Sequence, residues 1–320
     1  MASEKAPPAV SVVMPVKNGA RTIEAAISSV LNQTFQSLEL IICNDGSTDN
    51  TEELIRSFKD ERIVLIANDS SQGEGPARDN AISNARGEWL AVIDADDVWM
   101  PQRLENLLEA TGGEPVLIFD DLMECHDGPT GLVRWRRLRG NGAFGETHGR
   151  TIDVEVDSYL RAHRLLIKPL LPKQVVVQHR IEHGRSRFGA DTRFFLQVIA
   201  TGIKLRYLPE PLYLYRLTPG SMTSFSGRDE QMLAILEELR DHFVQQPSAY
   251  SAICYKILQV TRSQRYSELL RLLKARDFRR FRKEVIGAEW FWSEFAQRLV
   301  EDFRYRVHAF IHDGRRRLKQ

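Results

Sequence analysis

Three aspartates fall within four positions in Val92-Ile93-Asp94-Ala95-Asp96-Asp97, directly after an apolar run. Like charges about 4 Å apart repel by roughly 4 kcal/mol at an effective dielectric near 20. Such a cluster at the end of a buried strand therefore needs compensation. A divalent cation supplies it in one reading, because hard Mg2+ or Mn2+ takes oxygen ligands and completes its shell with substrate phosphates. In the other reading the acids are loop and N-cap residues of the helix that begins near Pro101. These residues alone leave both open.

A second cluster is Asn44-Asp45-Gly46-Ser47-Thr48-Asp49. Asp45 can accept a hydrogen bond from an imide N–H such as uracil N3, while Gly46 and Ser47 can simply make a tight turn, the reading these residues favour by themselves. A third, Gly73-Glu74-Gly75-Pro76-Ala77-Arg78, has the look of a dinucleotide fingerprint. Pro76 and Arg78 stand where other residues belong and the third glycine is missing, so it reads better as a turn into a helix. Arg78 then faces the cleft that holds Asp45 and Asp94 and can neutralise a phosphate, or it is a solvated helix residue. His179 and His183 read as solvated loop histidines ahead of contacts to an acceptor or phosphate, and His126 and His148 carry no spacing signature. Trp135 with Arg134, Arg136, Arg137 and Arg139 suits sugar rings and pyrophosphates, or is an exposed arginine-rich loop.

The elements that must position these residues alternate along the first hundred positions. Strands are expected at Val10–Val16, Leu38–Asn44, Arg62–Asn68 and Glu88–Asp94, and helices at Thr22–Gln33, from Thr48 or Asp49 through Phe58, and at Pro76–Ala85. Continuous apolar strands alternating with helices specify an α/β fold with a mostly parallel sheet and helices on both faces. Ligands of such sheets bind at the strands' C-terminal ends, where Asn18, Asp45 and Asp94 to Asp97 lie. Further on, Val116–Met123 reads as a strand, 128–149 has no clear period, and Asp191–Thr201 reads as a helix. Lys204–Arg216 reads as strand, proline turn and strand. Helices follow at Asp229–Val244, Tyr250–Thr261, Tyr266–Lys274, from the N-cap Asp277 through Val285, and at Glu289–His312. A boundary near Gly220–Gly227 divides the chain into 1–220 and a basic helical region, 221–320.

The 320 residues, 42% hydrophobic and 27% charged, exclude disordered and collagen-like classes. No run approaches the roughly 18 apolar residues of a membrane-spanning helix, and MASEKAPPAV lacks a signal pattern. Three widely spaced cysteines argue against a disulfide framework and a structural zinc site, so a reduced, cytoplasmic setting is expected. The net charge of +1 conceals a sorted distribution, with sixteen Lys/Arg against eight Asp/Glu after position 260. No nucleic-acid motif accompanies that basic part, which an anionic membrane face suits as well.

Together SVVMPVKNG, LELIICNDGSTDNT, GPARDNAI and ARGEWLAVIDADDVWMPQRL resemble the family 2 glycosyltransferases with the nucleotide-diphospho-sugar GT-A fold. The resemblance runs from Val10 to Leu108 and resumes over Phe188–Thr223. It implies that Pro15, Lys17 and Asn18 line the nucleotide base and that Asp45 binds uracil. Asp94-Ala95-Asp96 then matches the family's DXD motif, with Asp94 near the ribose and Asp96 as the metal ligand. Arg78 matches a donor-site arginine, and Asp191 stands where the family's Glu-Asp pair supplies the catalytic base. Lys17 replaces an aromatic residue of the family pattern and Ala190 replaces its glutamate. The Gln-x-x-Arg-Trp motif of processive synthases is absent.

The implied activity is an inverting, Mn2+- or Mg2+-dependent transfer of one sugar from a nucleotide-diphosphate sugar, UDP-linked, to a glycan or lipid-linked oligosaccharide in polysaccharide assembly. The implied location is cytoplasmic, peripheral on the inner membrane face through the basic helices, with no nucleic-acid partner. A sugar-nucleotide nucleotidyltransferase is the competing enzyme reading, although Lys17-Asn18-Gly19-Ala20-Arg21 supplies its triphosphate loop poorly. A degenerate nucleotide- or glycan-binding module is the competing non-enzyme reading.

Overall fold

Strands with both faces buried are the interior strands of parallel sheets, and two such strands anchor this molecule. In the computed structural model, which describes residues 6–128, 131–138, 144, 147–162, 164–186, 188–217, 227–286, 288, 290–293 and 295–296, β1 (Val10–Val16) and β2 (Leu38–Asp45) are buried at every position. β1 pairs in parallel with β2 on one side and β4 (Trp89–Val92) on the other. β3 (Ile63–Asn68), only partly buried, forms the edge beyond β2. Helices α1 (Ile23–Leu31), α2 (Thr51–Ser57) and α3 (Glu74–Ser83) connect these strands, as the alternation requires. On α1 the buried residues are Ile23, Ala26, Ile27 and Val30, at helical spacing.

The chain continues through β5 (Val98–Trp99), α4 (Arg103–Thr111), β6 (Leu117–Gly128), β7 (Gly131–Arg137), β8 (Ile152–Val154), α5 (Val156–Arg161), β9 (Leu170–Pro172), α6 (Lys173–His179), α7 (Ala190–Ala200) and β10 (Leu205–Arg216). The sheet order is β3-β2-β1-β4-β9-β6-β10-β5, with β7 on β6 and β8 on β10. β9 runs antiparallel to β4 and to β6 and so wedges between the first strands and the later ones. Val12, Met14, Ile42, Ala91, Ile118 and Leu170, from both parts, share one buried core. Burying each large aliphatic side chain there contributes about 1.5–3 kcal/mol. Arg103 and Asp120, both fully buried, form a two-armed ion pair at 2.9 and 2.8 Å beneath the Trp99 ring.

Several elements differ from the sequence expectation, each for a physical reason. The proline turn within Lys204–Arg216 is instead a bulge in one continuous strand, where the register to β6 shifts between Leu208 and Tyr213. Pro209 and Pro211 have no N–H for the ladder, so the strand bulges without reversing. Gly131–Arg137, without a legible period, pairs with β6. α3 begins at Glu74, earlier than expected, because a helix's first turn needs no N–H from Pro76. α8 (Arg228–Leu239) ends in a 3-10 turn, Arg240–Phe243. The two helices expected within 250–274 are one, α9 (Pro247–Lys274), since no Gly or Pro interrupts 261–265.

The contacts divide the chain into two units, Met1–Leu258 and Gln259–Gln320. Within the second, Tyr266, Leu269, Leu272, Phe281 and Phe291 bury one another. Asp277 caps α10 (Phe278–Val285), accepting from Arg280 N at 3.1 Å. Arg279, Arg280, Arg282 and Lys283 are exposed on α10. Among the described residues no helix is long and apolar enough to cross a membrane. The expected boundary near Gly220–Gly227, apart from Gly227 itself, most of the helix Glu289–His312, Arg139 and the terminal Arg315–Lys319 lie outside the described residues.

Candidate active site

Because β1, β2 and β4 run in parallel, the loops that leave them lie at one edge of the sheet. The loops after β1 and β2 are stitched together there. Asn18, in the left-handed region at φ 53°, accepts from Thr48 N (2.8 Å), while its own N–H donates to Ser47 Oγ (2.9 Å). Gly19 N donates to Thr51 Oγ1 at 2.8 Å. Lys17 is exposed, whereas Pro15 is buried within β1 opposite Cys43.

Asp45 ends β2 and holds the loop that leads into α3. One carboxylate oxygen accepts from Gln72 N (2.7 Å) and Asn68 Nδ2 (3.1 Å), the other from Ser71 Oγ (2.6 Å) and Gly73 N (2.9 Å). Burial opposes its ionisation, but these four bonds outweigh burial and keep the carboxyl below its ordinary value. Gly46 permits this approach: it sits at φ 65°, and a Cβ there would meet Ser71 N at 2.8 Å.

α3 carries Arg78 to the loop after β4. Its side chain is 2% exposed and lies 2.6 Å from Asp94, 2.6 Å from Glu74, and in direct ion-pair contact with Asp191. Asp191 stands in the first turn of α7, whose N-terminal dipole favours a carboxylate. A second buried cation completes the group. Lys168 Nζ lies 2.6 Å from Asp94 and 2.8 Å from Asp191. Burial penalises every charge here, yet the cations hold the Asp191 carboxyl far below its ordinary value, and the carboxylates raise both Arg78 and Lys168. Arg78, Asp94 and Asp191 thus meet, while Asp45 is occupied with its own loop.

Sequence reasoning missed Lys168. Its signal is a lone charge within Leu165-Leu166-Ile167-Lys168-Pro169-Leu170-Leu171-Pro172, a run too apolar for a surface. His183 corrects the expectation of a solvated loop: it is fully buried, with Nδ1 at 2.7 Å from Asp79 Oδ1. His179 ends α6 and is exposed. Trp135 is 42% exposed on β7 with the Arg136 guanidinium 4.5 Å from its ring centre, while Arg137 turns inward to the buried Asp121 (2.8 Å).

Asp94, Asp96 and Asp97 present carboxylate oxygens within 4.8 Å of one another. Asp97 accepts from Tyr213 OH (2.6 Å) and Arg216 N (2.7 Å), and Arg216 Nε donates to the Asp96 carbonyl at 2.6 Å. Burial, then the charges of Asp94 and Asp96, push the Asp97 carboxyl well above its ordinary value. Three carboxyl groups this close together make an all-oxygen donor set that fits a hard divalent cation, and each bonded carboxylate keeps further lone pairs to offer. Ala95, between Asp94 and Asp96, packs on the core.

The family model for "Glycosyl transferase family 2" matches residues 11–170. A glucosyltransferase of Escherichia coli, "UDP-Glc:alpha-D-GlcNAc-diphosphoundecaprenol beta-1,3-glucosyltransferase WfgD", is 44% identical over 96 residues, 30% of this chain and 38% of that protein. The chain therefore spans well under half the length of that relative. The "uncharacterized glycosyltransferase MJ1057" of Methanocaldococcus jannaschii is 38% identical over 251 residues, 76% of this chain and 82% of that one. Among solved structures, S. aureus TarS 1–349 in complex with UDP-GlcNAc superposes with a TM-score of 0.65 at 15% identity, covering 81% of this chain and 72% of that one. That likeness fixes the fold as the α/β arrangement of these transferases.

Proposed function

The chain belongs to glycosyl transferase family 2, and on that premise we propose that it transfers one sugar from a UDP-linked donor to a glycan or lipid-linked oligosaccharide in polysaccharide biosynthesis. The observation that carries this reading is the cluster of buried Arg78 and Lys168 with partly buried Asp94 and Asp191, in which two cations join a strand-end carboxylate to a helix-end carboxylate. The name of the E. coli relative gives UDP-Glc as donor and a diphosphoundecaprenol-linked acceptor, and TarS was crystallised with UDP-GlcNAc. Both agree with this donor and acceptor class.

The chemistry follows from charge. Breaking the bond between the sugar's C1 and the diphosphate leaves negative charge on the leaving group. Arg78, aimed from α3, stabilises that charge where it develops. Asp191 accepts the proton of the attacking hydroxyl, a general-base role worth roughly 10²–10⁴-fold. Its carboxylate is a weak base while two cations hold it. A diphosphate gives Arg78 and Lys168 other oxygens to bind and so restores its basicity. Asp191 acts on the face opposite the leaving group, so the product is inverted at C1. A Mn2+ or Mg2+ would be held by Asp96 with help from Asp94 and Asp97, and would supply Lewis-acid stabilisation of the diphosphate. Pro15, Lys17, Asn18 and Asp45 receive the base, with Asp45 exchanging one of its four loop bonds for the base's N–H, and Ala95 lines the donor pocket.

Residues 1–220 form the catalytic part in this reading. The exposed Arg279, Arg280, Arg282 and Lys283 bring the enzyme to an anionic leaflet, each worth about 1 kcal/mol near the surface. The deciding experiment is Asp191→Asn. UDP binding measured by calorimetry stays intact while sugar transfer falls by about 10²–10⁴-fold. Turnover at the wild-type rate would assign the base elsewhere.

A further inference from the structure

His183 lies in the segment Ile181–Gly184, between α6 and α7, and none of its surface reaches solvent. Its backbone N–H donates to both oxygens of Asp79, at 3.0 and 3.1 Å, and its ring Nδ1, facing the same carboxylate at 2.7 Å, carries the proton of that contact. On the opposite side the imidazole stacks flat on Phe194, with centroids 4.0 Å apart and planes 9° from parallel. Asp79 is the residue after Arg78 on α3, and Phe194 lies one turn after Asp191 on α7. One side chain therefore bridges the two helices that carry the Arg78–Asp191 ion pair.

The same segment is fastened at two further points. The Glu182 carbonyl accepts from Arg193 Nη1 (2.8 Å) and Gln197 Nε2 (2.9 Å), both on α7. Against α3 the approach is closer still, since a Cβ on Gly75 would lie 2.1 Å from the Gly184 carbonyl oxygen. Among the described residues the imidazole Nε2 has no hydrogen-bond partner, so a phenylalanine would fill this slot and lose only the ring's bond to Asp79. Space-filling therefore does not account for the histidine, whereas the Asp79 bond does. Burial also lowers the imidazole's proton affinity, which keeps a third cation away from Asp191.

We propose that His183 and Asp79 are positioning residues that clamp α7 to α3 and thereby set Asp191 against Arg78. The inference rests on Asp191 serving as the base of the transfer reaction. It concerns placement, not contact with substrate, and predicts coupling between sites that share no chemistry.

The test has a substrate-free arm and a kinetic arm, both on the full chain. Thermal unfolding of His183→Phe, Asp191→Asn and the double variant forms a cycle. The clamp predicts that the double variant loses less Tm than the two single losses combined, because loosening the clamp has already weakened the ion pair. Additive losses overturn the clamp. In the kinetic arm, hydrolysis of UDP-glucose with Mn2+ is followed at equal concentrations of folded protein. His183→Phe lowers kcat by about tenfold to a hundredfold and leaves KM for the donor within about twofold. Asp79→Ala does the same, and Asp79→Asn, which keeps an acceptor oxygen, restores most of the rate. Wild-type kcat per folded molecule in both His183→Phe and Asp79→Ala would also overturn the clamp. Wild-type enzyme that hydrolyses neither UDP-glucose nor UDP-GlcNAc, together with non-additive unfolding, would sink the transferase reading while leaving the clamp standing.

Discussion

Lys168 Nζ reaches Asp191 at 2.8 Å although 23 positions separate them in sequence, and the same ammonium lies 2.6 Å from Asp94. One buried cation thus serves two carboxylates from different elements. Removing one partner of a buried ion pair typically costs about 3–5 kcal/mol, because the remaining charge is left uncompensated. Lys168→Met should lower the urea-unfolding free energy by that order and weaken UDP-sugar binding. A variant as stable as wild type would show that Arg78 alone balances both acids.

Asp96 is the expected direct ligand of the cation. Asp96→Ala should leave the unfolding midpoint close to wild type, since the side chain is only partly buried. Titration with UDP should then show no gain from added Mn2+, and EDTA should bring the wild type to the same affinity. Mn2+-enhanced binding by the variant would move the ligand role to another carboxylate.

Gly75 allows α3 to touch the Gly184 carbonyl. Gly75→Ala inserts a methyl group where backbone already sits, and overpacking of this kind costs about 1–3 kcal/mol. Gly113, whose Cβ would meet nothing within 4 Å, is the control for volume; its φ of 78° adds only local strain. Chemical denaturation should rank Gly75→Ala as the more damaging of the two.

Lys256 is buried, donates to the Ala162 carbonyl, and has its proton affinity pushed down to about 8 by burial. In the unfolded chain its value returns toward 10.5, so between pH 8 and 10.5 the unfolded state holds more protons. Stability contributed at this site therefore rises with pH through that window and is lowest below pH 8. Lys256→Met should be more stable than wild type at pH 7, and that advantage should shrink steadily from pH 8 to 10.5. An advantage independent of pH would mean that Lys256 titrates as an ordinary exposed lysine.

The parallel half of the sheet was readable because Val10–Val16 and Leu38–Asn44 are apolar on both faces, a pattern that only an interior strand satisfies. Carboxylates crowded after a strand, and an arginine one helix earlier, marked Asp94 and Arg78. What escaped depends on distance along the chain. His183 looks solvated until Asp79, 104 positions away, is brought to it where α3 meets the segment between α6 and α7. Lys168 shares no motif with its partners: the apolar run around it signals burial, but which carboxylates it meets follows from tertiary packing that no local pattern encodes. Pro209 and Pro211 punctuate the sequence as a turn would. The paired strand on either side pulls them into a bulge instead, because the ladder resumes at Tyr213.

The place of β9 in the sheet bears on how the protein is made. β4 leaves the ribosome well before β9, its neighbour on the open side, and at typical elongation rates the interval is on the order of ten seconds. Through that interval a nascent strand edge is bare and available to other chains or to a chaperone. Asp94 meanwhile remains hydrated, its lysine counterion still untranslated. The ion cluster of Arg78, Asp94, Lys168 and Asp191 is therefore complete only once Asp191 has been made, 97 positions after Asp94.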